Sequence, residues 1–191
     1  MLLISSNDLD LDDISIEKHI ITNVTGDVSL EKDVVRHVLR INSQDRSGKS
    51  PNVKIDVARI ATFKAQKLLA AANGPVPLEY FMSKWTQQMP HQCTGVTLEE
   101  SLLESLCIRT FDKKINDTTL TYFPAFKLPM DKAMRFRKLF SAKEEWPLEE
   151  IKPFVRAALK KDETVEELLL KYAVVLVEKE GSTCKAKPSM L

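Results

Sequence analysis

Apolar residues recur with helical spacing in three stretches of the chain, and each stretch is followed by a shorter one in which apolar and polar positions alternate around a polar turn. The last unit is the clearest. Asp131 can cap a helix of about three turns to Lys143, with Ala133, Phe136, Leu139 and Phe140 on one arc. On that wheel Arg135 and Lys138 point away from the arc and Arg137 lies on its flank. Pro147 suits a first helical position, with Glu149 and Glu150 at the positive end of the helix. Pro153 removes a backbone donor farther in, so the helix kinks or restarts there. The run "TVEE" from Thr164 to Glu167 is a capping box that opens a helix with Val165, Leu168, Leu169 and Tyr172 inward. "VVLVEKEGSTCKAKP" then reads as a strand, a turn at Gly181 and a return strand.

The middle unit has the same order. "VARIATFKAQKLLAAANG" is a helix ending on a left-handed cap at Gly74, and Pro77 begins a second, with Leu78, Phe81, Met82, Trp85 and Met89 as its buried stripe. "TLEE" from Thr97 to Glu100 is a second capping box, and "CIRTF" and "TTLTYF" flank "DKKIND" as a hairpin. The first unit is shorter: "DDISIEKHIITNV" and "SLEKDVVRHVLRI" are helical, and the polar loop "NSQDRSGKSPN" leads to the strand-like "VKIDV". Boundaries near Asp56 and Pro129 divide the chain into units 1–56, 57–129 and 130–191. Three helices and a two-stranded wing per unit predict tandem winged-helix domains, a helix-turn-helix form, and a fold that is mainly α with small β wings.

Composition narrows the function without naming it. The 191 residues are 43% hydrophobic and carry a net charge of +1, so no global field draws the chain to nucleic acid or membrane, and attraction must come from local patches. Three scattered cysteines, Cys93, Cys107 and Cys184, argue for free thiols in a reducing compartment. The start has no cationic region and no long apolar run, which predicts no signal peptide, and no stretch reaches the roughly 20 apolar residues of a membrane span. The sequons at Asn23 and Asn116 then have no use.

Enzyme chemistry finds little footing. With five glycines there is no GxGxxG or GxxxxGK[ST] loop to cradle phosphates. His91 and Cys93, even with Cys107, lack a fourth zinc ligand and a familiar spacing, and "NDLDLDD" lacks the glycine and twelfth-position acid of a calcium loop. His19 and His37 have no triad partners, and His37 falls at the rim of its helix's apolar arc. The expectation is a protein with no catalytic residue, metal or cofactor.

The cations are the remaining candidates. In "SLEKDVVRHVLRI", Leu30, Val34, Val38 and Ile41 share one face while Lys32, Arg36 and Arg40 step by four along another, and Arg46 and Lys49 follow in the loop. Such a stripe can neutralise phosphates, or simply keep a helix solvated. The third helices of the other units carry Glu99, Glu100 and Glu104, and Glu166 and Glu167, which would repel a phosphate backbone. In the last unit the contact would fall instead to Arg135, Arg137 and Lys138 on the opening helix and to Lys179, Lys185 and Lys187 on the wing. Contacts of this kind position a protein on DNA without reading bases.

"LPMDKAMRFRKLFSAKEEWPLEEIKPF" followed by "LLLKY" resembles the C-terminal signature of the DCC sister chromatid cohesion protein family. The matching letters are Leu128, Pro129, Asp131, Arg135, Phe136, Leu139, Phe140, Trp146, Glu150, Ile151, Pro153, Lys171 and Tyr172, and "PLEYFMSKWTQQMP" is similar in order and spacing. The resemblance implies a nuclear, non-catalytic accessory subunit of an alternative replication-factor-C-like clamp loader. That complex loads the sliding clamp PCNA in DNA replication and supports cohesion. It also implies tandem winged helices on DNA, partnership with the chromosome transmission fidelity subunits and, through them, an indirect link to DNA polymerase epsilon. The chain is read as lacking a counterpart of the family's N-terminal region, and apolar "VVLVEKEG" stands where a more basic stretch is expected. The rival readings are a scaffold that docks partner subunits through acidic helices and the apolar "AVVLV" without touching DNA, and a small metal-dependent enzyme.

Overall fold

Val35 and Leu39 decide how the first helix packs. The computed structural model describes residues 12, 14–15, 32–45, 50–90, 93, 97–178 and 181–188. The chain divides into two compact units, Met1–Ala71 with Pro77–Leu102, and Ala72–Val76 with Leu103–Leu191.

In the first unit α1 (Lys32–Ile41) places Asp33 in its first turn and Arg40 in its last, as the helix dipole favours. Its inward face is Val35 and Leu39, 2% and 4% exposed, with Val38 packed against the same core. The expected face through Val34 and Ile41 is turned outward, each being 47% exposed. Both stripes keep i, i+4 spacing and share Val38. The one chosen is the one that meets Ile14, Val53, Ile55, Ile60 and Cys93. Ile14, expected in a helix, instead begins β1 (Ile14–Ser15), paired antiparallel with β2 (Asn52–Val53) in the register Ile14↔Val53. Helix α2 (Val57–Ala71) buries Ile60, Ala61, Ala65 and Leu69; two alanines in that stripe let a neighbour approach its backbone. That neighbour is α3 (Leu78–Gln87), whose buried Trp85 donates its indole N–H to the Ala61 carbonyl at 2.9 Å. Trp85 also meets Phe81 at a ring separation of 5.7 Å. Helix α2 stops at Ala71, three residues before Gly74, whose φ of +144° lies outside the αL cap expected there.

The second unit holds two three-stranded antiparallel sheets. In the first, β4 (Cys107–Asp112) and β5 (Asp117–Tyr122) form the expected hairpin, in register from Cys107↔Tyr122 to Asp112↔Asp117. β3 (Val76–Pro77), whose Val76 belongs to this unit, lies on the other side of β5. The expected capping-box helix at Thr97 is only a 3-10 helix, Glu100–Leu103, because Ser105 adopts φ +63° and turns the chain before a second turn can form. Helix α4 (Lys132–Ala142) begins where expected, Asp131 accepting from the Met134 amide at 2.9 Å. Helix α5 (Leu148–Arg156) runs through Pro153. Helix α6 (Val165–Tyr172) opens with the complete Thr164–Glu167 capping box. The second sheet sets β6 (Glu145–Pro147) beside β8 (Gly181–Ala186), and β8 beside β7 (Ala173–Glu178).

Pro77 and Pro147, expected as first helical residues, have ψ of 137° and 136° and close strands instead. The expectation of a mainly α chain of tandem winged helices is corrected. Among the described residues there are three small antiparallel sheets as well as the helices, the middle unit's third helix is one 3-10 turn, and the fold is mixed α/β. The core of the second unit gathers Phe136, Leu139, Trp146, Ile151, Phe154, Val155, Leu169 and Cys184. Trp146 is fully buried, donates to the Leu139 carbonyl at 3.2 Å and meets Phe154 edge-on at 5.3 Å. Burial of side chains this large is worth about 1.5–3 kcal/mol each.

Candidate nucleic-acid interface

Helix α4 sorts its cations by turn. Arg135 stands four residues before Leu139 and next to Phe136, so it shares the buried face and is 1% exposed. Its Nε donates to the Phe154 carbonyl at 2.6 Å, Nη1 to the Leu128 and Pro129 carbonyls at 3.3 and 3.0 Å, and Nη2 to the Ala125 carbonyl at 2.9 Å. Burial pushes the guanidinium below its ordinary pKa, and the four carbonyl oxygens offset that cost. Arg135 thus binds α4 to α5 and to the 125–129 segment. The expectation that it faces solvent is corrected, because the arc it was placed outside includes it.

Arg137 and Lys138 do face solvent. They line one concavity of about 320 Å³ with Pro129, Met134 and Ser141, and neither is paired with a carboxylate among the described residues. Lys185 is 3.0 Å from Glu145, and Lys187 donates to the Leu170 carbonyl, closing the C-terminal end of α6. In the first unit Lys32 opens α1, Arg36 pairs with Asp33 at 2.6 Å, and Arg40 is exposed. Arg46, Lys49 and Lys179 lie outside the described residues. So does His91, set aside above with Cys93 as a zinc ligand.

Two features escaped the sequence reading. Lys113 and Lys114 are exposed at the tip of the β4–β5 hairpin, a position already visible in "DKKIND". The second is a clamp on the outer strand β4. Glu150 accepts from the Arg109 amide at 2.9 Å and from Lys143 Nζ at 2.5 Å, and Lys143 also donates to the Arg109 carbonyl at 2.9 Å. The ion pair occupies backbone groups that an edge strand would otherwise offer to another chain. Its members come from three elements, so no local motif announces it.

Burial raises the pKa of the Cys93 and Cys184 thiols, which disfavours thiolate. Among the described residues no three His, Cys, Asp or Glu side chains are grouped to hold a metal ion, and no helix is long and apolar enough to cross a membrane.

The second unit is thus a mixed α/β body that presents a cationic, partly apolar concavity on one helix. The chain belongs to the Dcc1 family of sister chromatid cohesion proteins: the family model described as "Sister chromatid cohesion protein Dcc1" matches residues 1–155. It is similar to the sister chromatid cohesion protein DCC1 of Danio rerio, 28% identical over 148 residues, which cover 76% of this chain and 36% of the relative. The human protein of that name is 28% identical over 120 residues, 63% of this chain and 29% of the relative. The Saccharomyces cerevisiae protein is 28% identical over 100 residues, 51% and 24%. The matched region therefore spans between 24% and 36% of the length of these three relatives.

Proposed function

We propose that the chain acts in sister chromatid cohesion, in the nucleus, as a non-catalytic accessory part of an alternative clamp loader that acts on PCNA during DNA replication, and that it holds DNA through phosphate contacts without reading sequence. Family membership supports the cohesion role. The clamp loader, the chromosome transmission fidelity partners and the indirect link to DNA polymerase epsilon rest on the resemblance set out above. The DNA contact is carried by one observation: Arg137 and Lys138 are adjacent, exposed and without a described carboxylate partner. Arg40 offers a similar cation in the first unit, and Lys113 and Lys114 extend the set in the second.

Phosphate contacts release counterions, so log affinity for a duplex falls against log salt with a slope of about −0.9 per contact. Three to six contacts give a slope of about −2.7 to −5.4. Arg137→Glu with Lys138→Glu reduces the slope by about 2 and lowers affinity for all duplex sequences alike. Fluorescence anisotropy across a salt series measures both quantities, and no binding at low salt, or a flat slope, removes this reading. The second reading, a scaffold for partner subunits, draws on β7 and its surroundings. Val174 and Leu176 are 39% and 36% exposed on one face of β7, Val177 is 83% exposed on the other, and Leu170 on α6 is 67% exposed.

A further inference from the structure

The concavity on α4 is not lined as a phosphate track alone. Met134 is 57% exposed within it, and Met130, next to the lining residue Pro129 in the chain, is 70% exposed. A duplex backbone gains nothing by covering a thioether. With Arg135 turned into the core, the cations left here are two neighbours on one helical turn, enough for two phosphate or carboxylate contacts. A volume of about 320 Å³ is at the lower end of ligand-binding pockets and takes one or two side chains. Methionine is a preferred lining for surfaces that accept apolar anchors of varied shape. An apolar lining of Pro129 and Met134, bordered by two cations without a carboxylate partner among the described residues and by the Ser141 hydroxyl, is complementary to an acidic peptide with an apolar anchor.

We propose that this concavity docks an acidic segment of a protein partner, which seats an aliphatic or aromatic side chain against Pro129 and Met134 and sets carboxylates against Arg137 and Lys138. Where the phosphate-contact reading holds, peptide and DNA share the two cations and exclude each other there; that clause rests on the reading given above, and the docking itself does not.

The probe is a fluorescein-labelled peptide of about 16 residues, glutamate-rich with leucines at helical i, i+3 and i+7 spacing. A matched peptide with every leucine replaced by glutamine and a labelled DNA duplex serve as comparisons. The leucine peptide binds the intact chain and the matched peptide binds at least tenfold more weakly. Met134→Ser weakens the leucine peptide by about tenfold, the share of one partly buried apolar contact, and leaves duplex affinity unchanged. Arg137→Glu with Lys138→Glu weakens the peptide by at least tenfold. Both variants alter exposed positions, and their thermal melting matches that of the parent. Equal binding of the two peptides, no binding of either, or an unchanged affinity in Met134→Ser overturns the docking. Failure of the duplex to bind removes the phosphate reading and leaves the peptide result to stand alone.

Discussion

Replacing Arg135 by methionine keeps a long unbranched side chain on the buried face of α4 and deletes the guanidinium. The side chain makes four hydrogen bonds to carbonyl oxygens, of Phe154, Leu128, Pro129 and Ala125. Bonds from a charged donor are worth about 1.5–3 kcal/mol each, which sums to about 6–12 kcal/mol of gross stabilisation. Against this stands the cost of keeping an ion away from water, several kcal/mol, the same cost that lowers its pKa. The net loss on substitution is about 3–5 kcal/mol, because the carbonyls are left inside without donors. For a unit of this size that lowers the melting temperature by about 15 °C or more. Circular dichroism with urea and thermal denaturation measures it. Arg137→Met, one helical residue past the buried face, changes stability by no more than about 0.5 kcal/mol and is the internal comparison. A loss below about 1 kcal/mol in Arg135→Met, or equal effects at the two positions, shows that the guanidinium does not hold these segments together.

Thr164→Ala removes one half of the capping box of α6 and costs about 1 kcal/mol, and Thr164→Ser restores it; urea denaturation checks both. Glu150→Ala removes both the ion pair with Lys143 and the acceptor of the Arg109 amide on β4, so stability falls by about 1–3 kcal/mol. Light scattering then shows more self-association, and an unchanged signal refutes the edge-blocking role. The Lys132 ammonium bonded to Glu163, with the Lys160 amide, holds that carboxyl below its ordinary value of 4.5. A carboxyl with a lowered folded-state pKa stabilises the fold above 4.5 and loses that contribution as pH falls through the lowered value. Lys132→Met therefore flattens the acid limb of the melting temperature against pH below 4.5, and an unchanged limb refutes the pair's role.

Local chemistry made much of the chain readable. Asp131 and Thr164 cap helices because a short polar side chain satisfies a free amide at a helix start, whatever lies beyond. The two late hairpins follow from alternation around "DKKIND" and Gly181, and Gly181 has φ +145° where the chain turns. The Trp, Pro and Lys-Tyr spacing near the end carried the family resemblance; Trp146 and Pro153 lie within the family match over residues 1–155, and Lys171 and Tyr172 lie beyond it. Capping boxes are less secure alone: "TLEE" has the letters of "TVEE", yet it precedes a 3-10 helix because Ser105 and Leu106 are held by the hairpin that follows.

What the sequence by itself determined was where turns, caps and apolar runs fall, since these depend on contacts within a few residues. Which of two equivalent stripes faces inward on α1, whether Pro77 and Pro147 end a strand or start a helix, and on which side of the core Arg135 lies were decided only in three dimensions. These choices depend on partners distant along the chain: Ile14 and Val53 for α1, β8 for Pro147, the Phe154 and Ala125 carbonyls for Arg135. The helical wheel set Arg135 outside the apolar arc, and the carbonyls of Phe154, Leu128, Pro129 and Ala125 give its guanidinium partners in the interior.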